Sequence, residues 1–173
     1  MKTIIRACAA LLFTFFLANA AAQTAAPLLV LPTTDRLVLV PCYIQRITTT
    51  TVRLVRKENF SMSEQEQSDK FLGAFSEGMT SVGFKVSLFD GCTNDDDPGG
   101  GITVKFVMQT AGTGFIMVQE FLKMPGEKKL VPVAEKDAAQ KKIIGHEEVA
   151  ASLVRETDKA IKEAQSRGEV KTN

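Results

Sequence analysis

Two cysteines, Cys42 and Cys92, in a chain headed by an export signal restrict this fold more than any other feature. Lys2 and Arg6 form a positive n-region, and Ala7 to Leu17 is an uncharged apolar run. Ala18-Asn19-Ala20 and Ala20-Ala21-Ala22 are both small-x-small cleavage sites. That is the plan of a secretory signal peptide, and the run is shorter than the ~20 apolar residues of a membrane helix. Residues 1–22 are therefore expected to be removed, leaving a periplasmic or secreted chain with no integral membrane segment. In an oxidising compartment an even cysteine pair forms a disulfide. A Cys42–Cys92 bridge would close a loop of about 51 residues and stabilise the fold by about 4 kcal/mol. A metal or redox role for the pair lacks both a CxxC spacing and further ligands. Cys8 lies inside the signal, with Arg6 upstream and the apolar run after it, so it does not read as a lipid-attachment site.

Cleavage after Ala22 leaves roughly 150 residues, enough for one domain that buries roughly 70% of its unfolded surface. Two of the 21 basic side chains leave with the signal, so the rest is nearly balanced against 20 acidic ones. Neutralising a nucleic acid needs a clustered basic face, so this balance argues against that partner.

Residues 23–35 read as a flexible leader broken by Pro27 and Pro32, with a short edge strand at Leu28 to Leu31. Arg36 to Val40 reads as a strand that Pro41 ends. Tyr43 to Arg56 is dense in β-branched residues and reads as one long strand, or two separated by a bulge. Ser61 with Glu64, and Ser63 with Glu66, both satisfy capping-box spacing. Phe71, Leu72, Phe75, Met79 and Val82 then share one helical face, with Glu66 and Lys70 paired on the wet side. Gly83 stops this helix, and a strand over Phe84 to Phe89 follows at once. That junction predicts a βαβ-like unit if the flanking strands are parallel.

Residues 90–101 read as a loop. Alternation over Ile102 to Gln109 and Phe115 to Met124, around Ala111-Gly112-Thr113-Gly114, predicts a hairpin. Pro125-Gly126 is a further turn, and Pro132 assigns Leu130 to Val133 to an edge or terminal strand. Ala134 to Lys142 is ambiguous. Glu147 to Gln165 is a helix with Ala150, Leu153, Val154, Ile161 and Ala164 inward, stopped by Gly168. The domain spans 36–168, and 169–173 is a polar tail. The expected class is α+β, a mainly antiparallel sheet of about five strands with two amphipathic helices on one face.

Catalytic motifs fail on inspection. His146-Glu147-Glu148-Val149-Ala150 places Ala150 where a zinc protease needs its second His, and His146 is the only histidine. No nucleophile elbow is present, and the glycine runs at 99–101 and 112–114 lack what phosphate cradles need. Asn59-Phe60-Ser61 matches a glycosylation acceptor but reads as chance beside a bacterial-type signal. Asp90, Asp95, Asp96 and Asp97 could gather oxygens around Ca²⁺. Counted from Asp95, however, the fifth and twelfth ligand positions hold Gly99 and Phe106, and Pro98 intrudes. A solvated turn competes with that metal-site reading. Phe115, Met117 and Phe121 belong to a strand with apolar groups on both faces. A strand covered on both sides would account for this, and so would an outer face that binds a partner or a second copy.

The run Phe71-Leu72, Phe75, Met79 and Gly83-Phe84-Lys85-Val86 resembles the helix-Gly-x-x-strand junction of small bacterial envelope α/β domains. Examples are the amino-terminal domain of TolB and the auxiliary components of envelope transport systems. The resemblance implies a non-enzymatic accessory role in the periplasm, without a cofactor, and transfers no functional residues. The expected function is thus binding of another envelope component, or self-association, through the apolar hairpin or an edge strand. The alternatives are a metal- or ligand-binding module built on the acidic loop and an enzyme of unrecognised chemistry.

Overall fold

The computed structural model describes residues 35–47, 51–92, 100–110, 116–137 and 145–167. The expected signal peptide, most of the leader and the tail lie outside these residues. The described chain is α+β. A six-stranded, mostly antiparallel sheet carries two helices that pack together and on one of its faces.

Strand β1 (Arg36–Arg46) is the hub. It pairs in parallel with β4 (Ile102–Thr110) along one side. Its other side is shared between β3 (Lys85–Leu88), parallel over Arg36–Leu39, and β2 (Val52–Val55), antiparallel over Tyr43–Arg46. Beyond β4 follow β5 (Ile116–Lys123) and β6 (Val131–Asp137), both antiparallel, in the order β2-β1-β4-β5-β6.

Pro41 does not end β1, and the topology gives the reason. The C=O of Leu39 accepts from Phe89 N–H at 2.8 Å, so odd-numbered residues of β1 direct their backbone groups toward β3 and β2. Position 41 falls in the interval between those two half-length neighbours. A missing N–H there breaks no described ladder bond, so proline is tolerated inside a strand that is otherwise central. The second correction concerns Tyr43 to Arg56. This stretch is neither one strand nor a bulged pair but a reversal, closed by Ile47 N–H donating to Thr51 O at 2.8 Å. The added strand raises the sheet from about five to six.

Helix α1 (Met62–Ser81) begins with the first of its two possible capping boxes. Ser61 Oγ accepts from Glu64 N–H at 3.3 Å, and Glu64 Oε2 accepts from Ser61 N–H at 2.9 Å. It ends at Gly83, whose φ of +104° suits the left-handed position after a helix. Phe84 N–H reaches Met79 O at 3.1 Å and Gly83 N–H reaches Thr80 O at 3.0 Å, the two bonds of a Schellman motif. Phe71, Leu72, Phe75 and Met79 are buried as the spacing predicts. Val82 is exposed instead, because the helix unwinds there. The rings of Phe71 and Phe75 meet Phe106 of β4 edge-on, with centroids 5.1 and 4.8 Å apart. Such pairs contribute roughly 0.5–1.5 kcal/mol each beyond their buried area.

The β4–β5 hairpin and the Pro125-Gly126 turn form as expected, the latter with Glu127 N–H on Met124 O at 3.1 Å. β6 is an edge strand, and it absorbs Ala134 to Asp137 from the ambiguous stretch; 138–144 lie outside the described residues. Pro132 sits opposite Phe121 beside a register shift, where the ladder tolerates it. Helix α2 (His146–Ser166) buries Val149, Ala150, Leu153, Val154, Ile161 and Ala164.

Candidate functional site

The period of two in the strands divides the sheet into unlike faces. Leu37, Leu39, Ile102, Val104, Phe106, Met108, Ile116, Val118 and Leu122 point toward the helices and make the main core. The opposite face carries Val38, Val40, Cys42 and Ile44 of β1, Thr103, Lys105, Val107 and Gln109 of β4, and Met117, Gln119, Phe121 and Lys123 of β5. Neither α1 nor α2 lies on this second face.

One half of that face is nevertheless buried. Val38, Val40 and Cys42 form a small cluster against which Cys92 and Val107 pack. The expected disulfide is present, with Cys42 and Cys92 Cα atoms 5.2 Å apart. It anchors the segment after β3 to the face of β1, as the cysteine pairing predicts.

The other half is open. Leu54, Ile44, Gln109 and Met117 form one row across β2, β1, β4 and β5. Ile44, Arg46, Val107, Gln109, Met117 and Gln119 line a shallow concavity of about 40 Å³ there. At the sheet margin Ile47, Val52 and Leu54 are 55%, 53% and 52% exposed. Val52 and Leu54 share the second face with Ile44, whereas Ile47, opposite Thr51, is in phase with the helix side. Exposed aliphatic side chains side by side on one short strand mark a candidate contact surface. Arg46 shares the second face with Val52, Arg53 projects from the other face and Arg56 follows the end of β2, all exposed. From Arg36 to Lys57 the sequence contains no acidic residue.

Of the residues expected to bind a partner, Met117 and Phe121 fall on this second face, half-buried. Phe115 lies outside the described residues. So do Asp95, Asp96 and Asp97, while Asp90 is exposed after β3. Among the described residues no group of three His, Cys, Asp or Glu side chains could hold a metal. His146 is the first residue of α2. Among the described residues no helix is long and apolar enough to cross a membrane.

Sequence reasoning missed the exposed β2 margin. The signal was the pattern Val52-Arg53-Leu54-Val55 in an acid-free segment. It also missed a cleft of about 350 Å³ between β6 and the C-terminal half of α2, floored by Leu122, Met124 and Val133 and rimmed by Glu127, Lys159 and Arg167. Two carboxylates are buried on the helix side. Glu120 receives a hydrogen bond from Thr157 of α2. Glu64 is held by Ser61 and Thr110. Burial alone would raise the Glu64 pKa, but the hydrogen bonds from Thr110 and Ser61 outweigh it and leave the group below its ordinary value. Beside the β2 margin, burial raises the Tyr43 phenol, whose oxygen lies 3.2 Å from Ser68 Oγ. Lys57 is raised by its hydrogen bond to Asp69, which also takes up its charge.

No family model matches the chain, and no curated protein is similar to it. A solved structure described as an uncharacterized protein aligns with 77% of this chain and 94% of its own, at 15% identity and a TM-score of 0.32. At that level the likeness carries no functional information.

Proposed function

We propose that this chain is a non-enzymatic exported protein, periplasmic or secreted, that works by holding another protein of the cell envelope. The observation that carries the reading is the open half of the second sheet face. It joins half-buried Met117 and Val107 to Val52 and Leu54, each more than half exposed. Contiguous apolar surface of this kind marks interaction sites on soluble domains. The export signal and the Cys42–Cys92 bridge support the compartment, because such bridges persist where thiols are oxidised.

The test is affinity capture from native envelopes with the wild-type protein and with Met117→Lys. A lysine at this half-buried position keeps its stem along the sheet and places a charge where the partner would pack. The same captured proteins at the same yield from both baits, with matched melting temperatures, would remove this face from consideration. Fractionation tests the address: the expected product begins after Ala22 and is released with the periplasmic or secreted proteins.

A further inference from the structure

We infer that the outer edge of β2 is a docking site for an extended, acidic segment of a partner protein, which adds to the sheet as a further strand. This deepens the binding role proposed above and rests on it. Three observations converge. First, β2 ends the sheet order, and among the described residues no strand pairs with its outer side. Second, the ladder phase states which groups face outward. Ile47 N–H donates to Thr51 O, and the register continues through Gln45↔Arg53 and Tyr43↔Val55. Thr51, Arg53 and Val55 therefore direct their backbone groups at β1, while Val52 and Leu54 direct their N–H and C=O outward. Third, the side chains beside that edge are of two kinds. Val52 and Leu54 are exposed on the second face, and Arg53 projects from the other.

Natural edge strands are kept very short, blunted by charged side chains, prolines or bulges, or covered. β2 is short and carries Arg53, but it has no proline and no bulge. β2 is regular and contains two exposed aliphatic residues. An added strand would use the outward amides of Val52 and Leu54 for affinity and its alternate side chains for specificity. Residues opposite Val52 and Leu54 would be apolar; those on the Arg53 side would be acidic. Arg46 across from Val52, and Arg56 beyond the strand end, extend the same field. Lys57 adds little to it, since Asp69 pairs with it. The balance of charge also argues against a second copy as occupant, because β2 against β2 would bring arginine to arginine.

The probe is a displayed library of random twelve-residue peptides, selected on the full processed protein with its disulfide intact. Peptides that alternate acidic and apolar residues are expected to be enriched. Arg53→Glu is expected to weaken the selected peptides by at least about tenfold, and added salt to weaken them further. Leu54→Ala trims the side chain but keeps the outward amide, whereas Leu54→Pro removes the amide without touching a bond to β1. Strand addition requires Leu54→Pro to lose binding and Leu54→Ala to keep a measurable share. Enrichment without acidic residues would overturn the inference, as would equal binding by Leu54→Pro and Leu54→Ala. So would recovery of no peptide together with adsorption to phosphatidylglycerol vesicles, which would make the hairpin a lipid-facing element. In the envelope capture, loss with Met117→Lys but not with Arg53→Glu or Leu54→Pro would sink the edge and leave the broader reading standing. Retention with all three would sink both.

Discussion

Reducing the Cys42–Cys92 bridge is expected to lower the stability of the domain by about 4 kcal/mol. The size follows from a sequence separation of 50 residues between the two sulfurs. Closing such a loop in the denatured chain removes about 14 cal/mol/K of entropy, which is about 4 kcal/mol at 25 °C. The loop contains β2, α1 and β3, so the bridge constrains all three elements before any of them has folded. β2 and β3 run in opposite directions, so they do not form the βαβ-like unit that parallel flanking strands would have made. For a domain of this size the melting temperature falls by roughly 12–20 °C. The assay is a pair of thermal and urea melts with and without a phosphine reductant, followed by far-ultraviolet circular dichroism because the chain has no tryptophan. Reduction is the cleaner perturbation, since both sulfur atoms stay in place against Val38 and Val40. Cys42→Ala with Cys92→Ala adds the loss of that packing, about 1 kcal/mol more. The urea m-value is also expected to rise on reduction, because the unbridged denatured chain exposes more surface. A drop below about 4 °C with an unchanged m-value would refute the reasoning: the bridge would then not be what confines the denatured chain.

Three further outcomes follow from the buried polar groups. Thr157→Val keeps the shape of the side chain but removes the hydroxyl that serves buried Glu120, so it is expected to cost roughly 1–3 kcal/mol in urea melts. Adding Glu120→Leu to it should recover most of that loss, since a buried polar pair replaced by apolar groups is often neutral. Tyr43 is the only tyrosine, so phenolate absorbance reads it alone, and its titration is expected above the ordinary value of 10.0. The folded state then holds the proton longer than the unfolded one, and stability declines as pH climbs past that value. Glu64 has the opposite sign. Its lowered pKa contributes stability that is complete above the ordinary carboxylate value of 4.5 and fades as pH falls through the folded value. Glu64→Gln is therefore expected to flatten the acid limb of a stability–pH curve.

What could be read from the sequence was whatever depended on near neighbours. The Ser61 box, the Phe71–Met79 stripe and Gly83 act within a few residues, and α1 formed as its spacing predicts. The β4–β5 hairpin and α2 did so for the same reason. Glu120 shows how far period alone reaches. It shares the phase of Ile116, Val118 and Leu122, so the alternation alone places it inward, although a glutamate is seldom fully buried. Pro41 shows where local reading stops. Proline ends a strand only if a neighbour needs its N–H, and whether β3 or β2 reaches position 41 is settled by strands far along the chain. The β2 margin was hidden likewise. Val52-Arg53-Leu54-Val55 reads as a strand anywhere, but only the sheet order makes it an edge. Met117 and Phe121 were ambiguous for a related reason: an apolar strand does not declare which face the helices take.

The division of the second face follows from how β1 is shared. Both helices cover the opposite face, so this side of β1 needs another cover for Val38, Val40 and Cys42. The segment after β3 supplies it, and the disulfide holds that segment down. β3 reaches only as far as Leu39 along β1, so the tie falls at the β3 end and cannot extend to Ile44. From Tyr43 onward β1 has β2 beside it instead, and β2 is four residues long with nothing described beyond it. The open patch and the open edge thus share one cause, two short strands in series along a single long one. A covalent cover at one end leaves the other free without loosening the sheet. Cutting the bridge is therefore expected to destabilise the domain globally, while charge reversal at Arg53 is expected to leave its melting temperature nearly unchanged. The two perturbations separate the part of the sheet that holds the protein together from the edge available to hold something else.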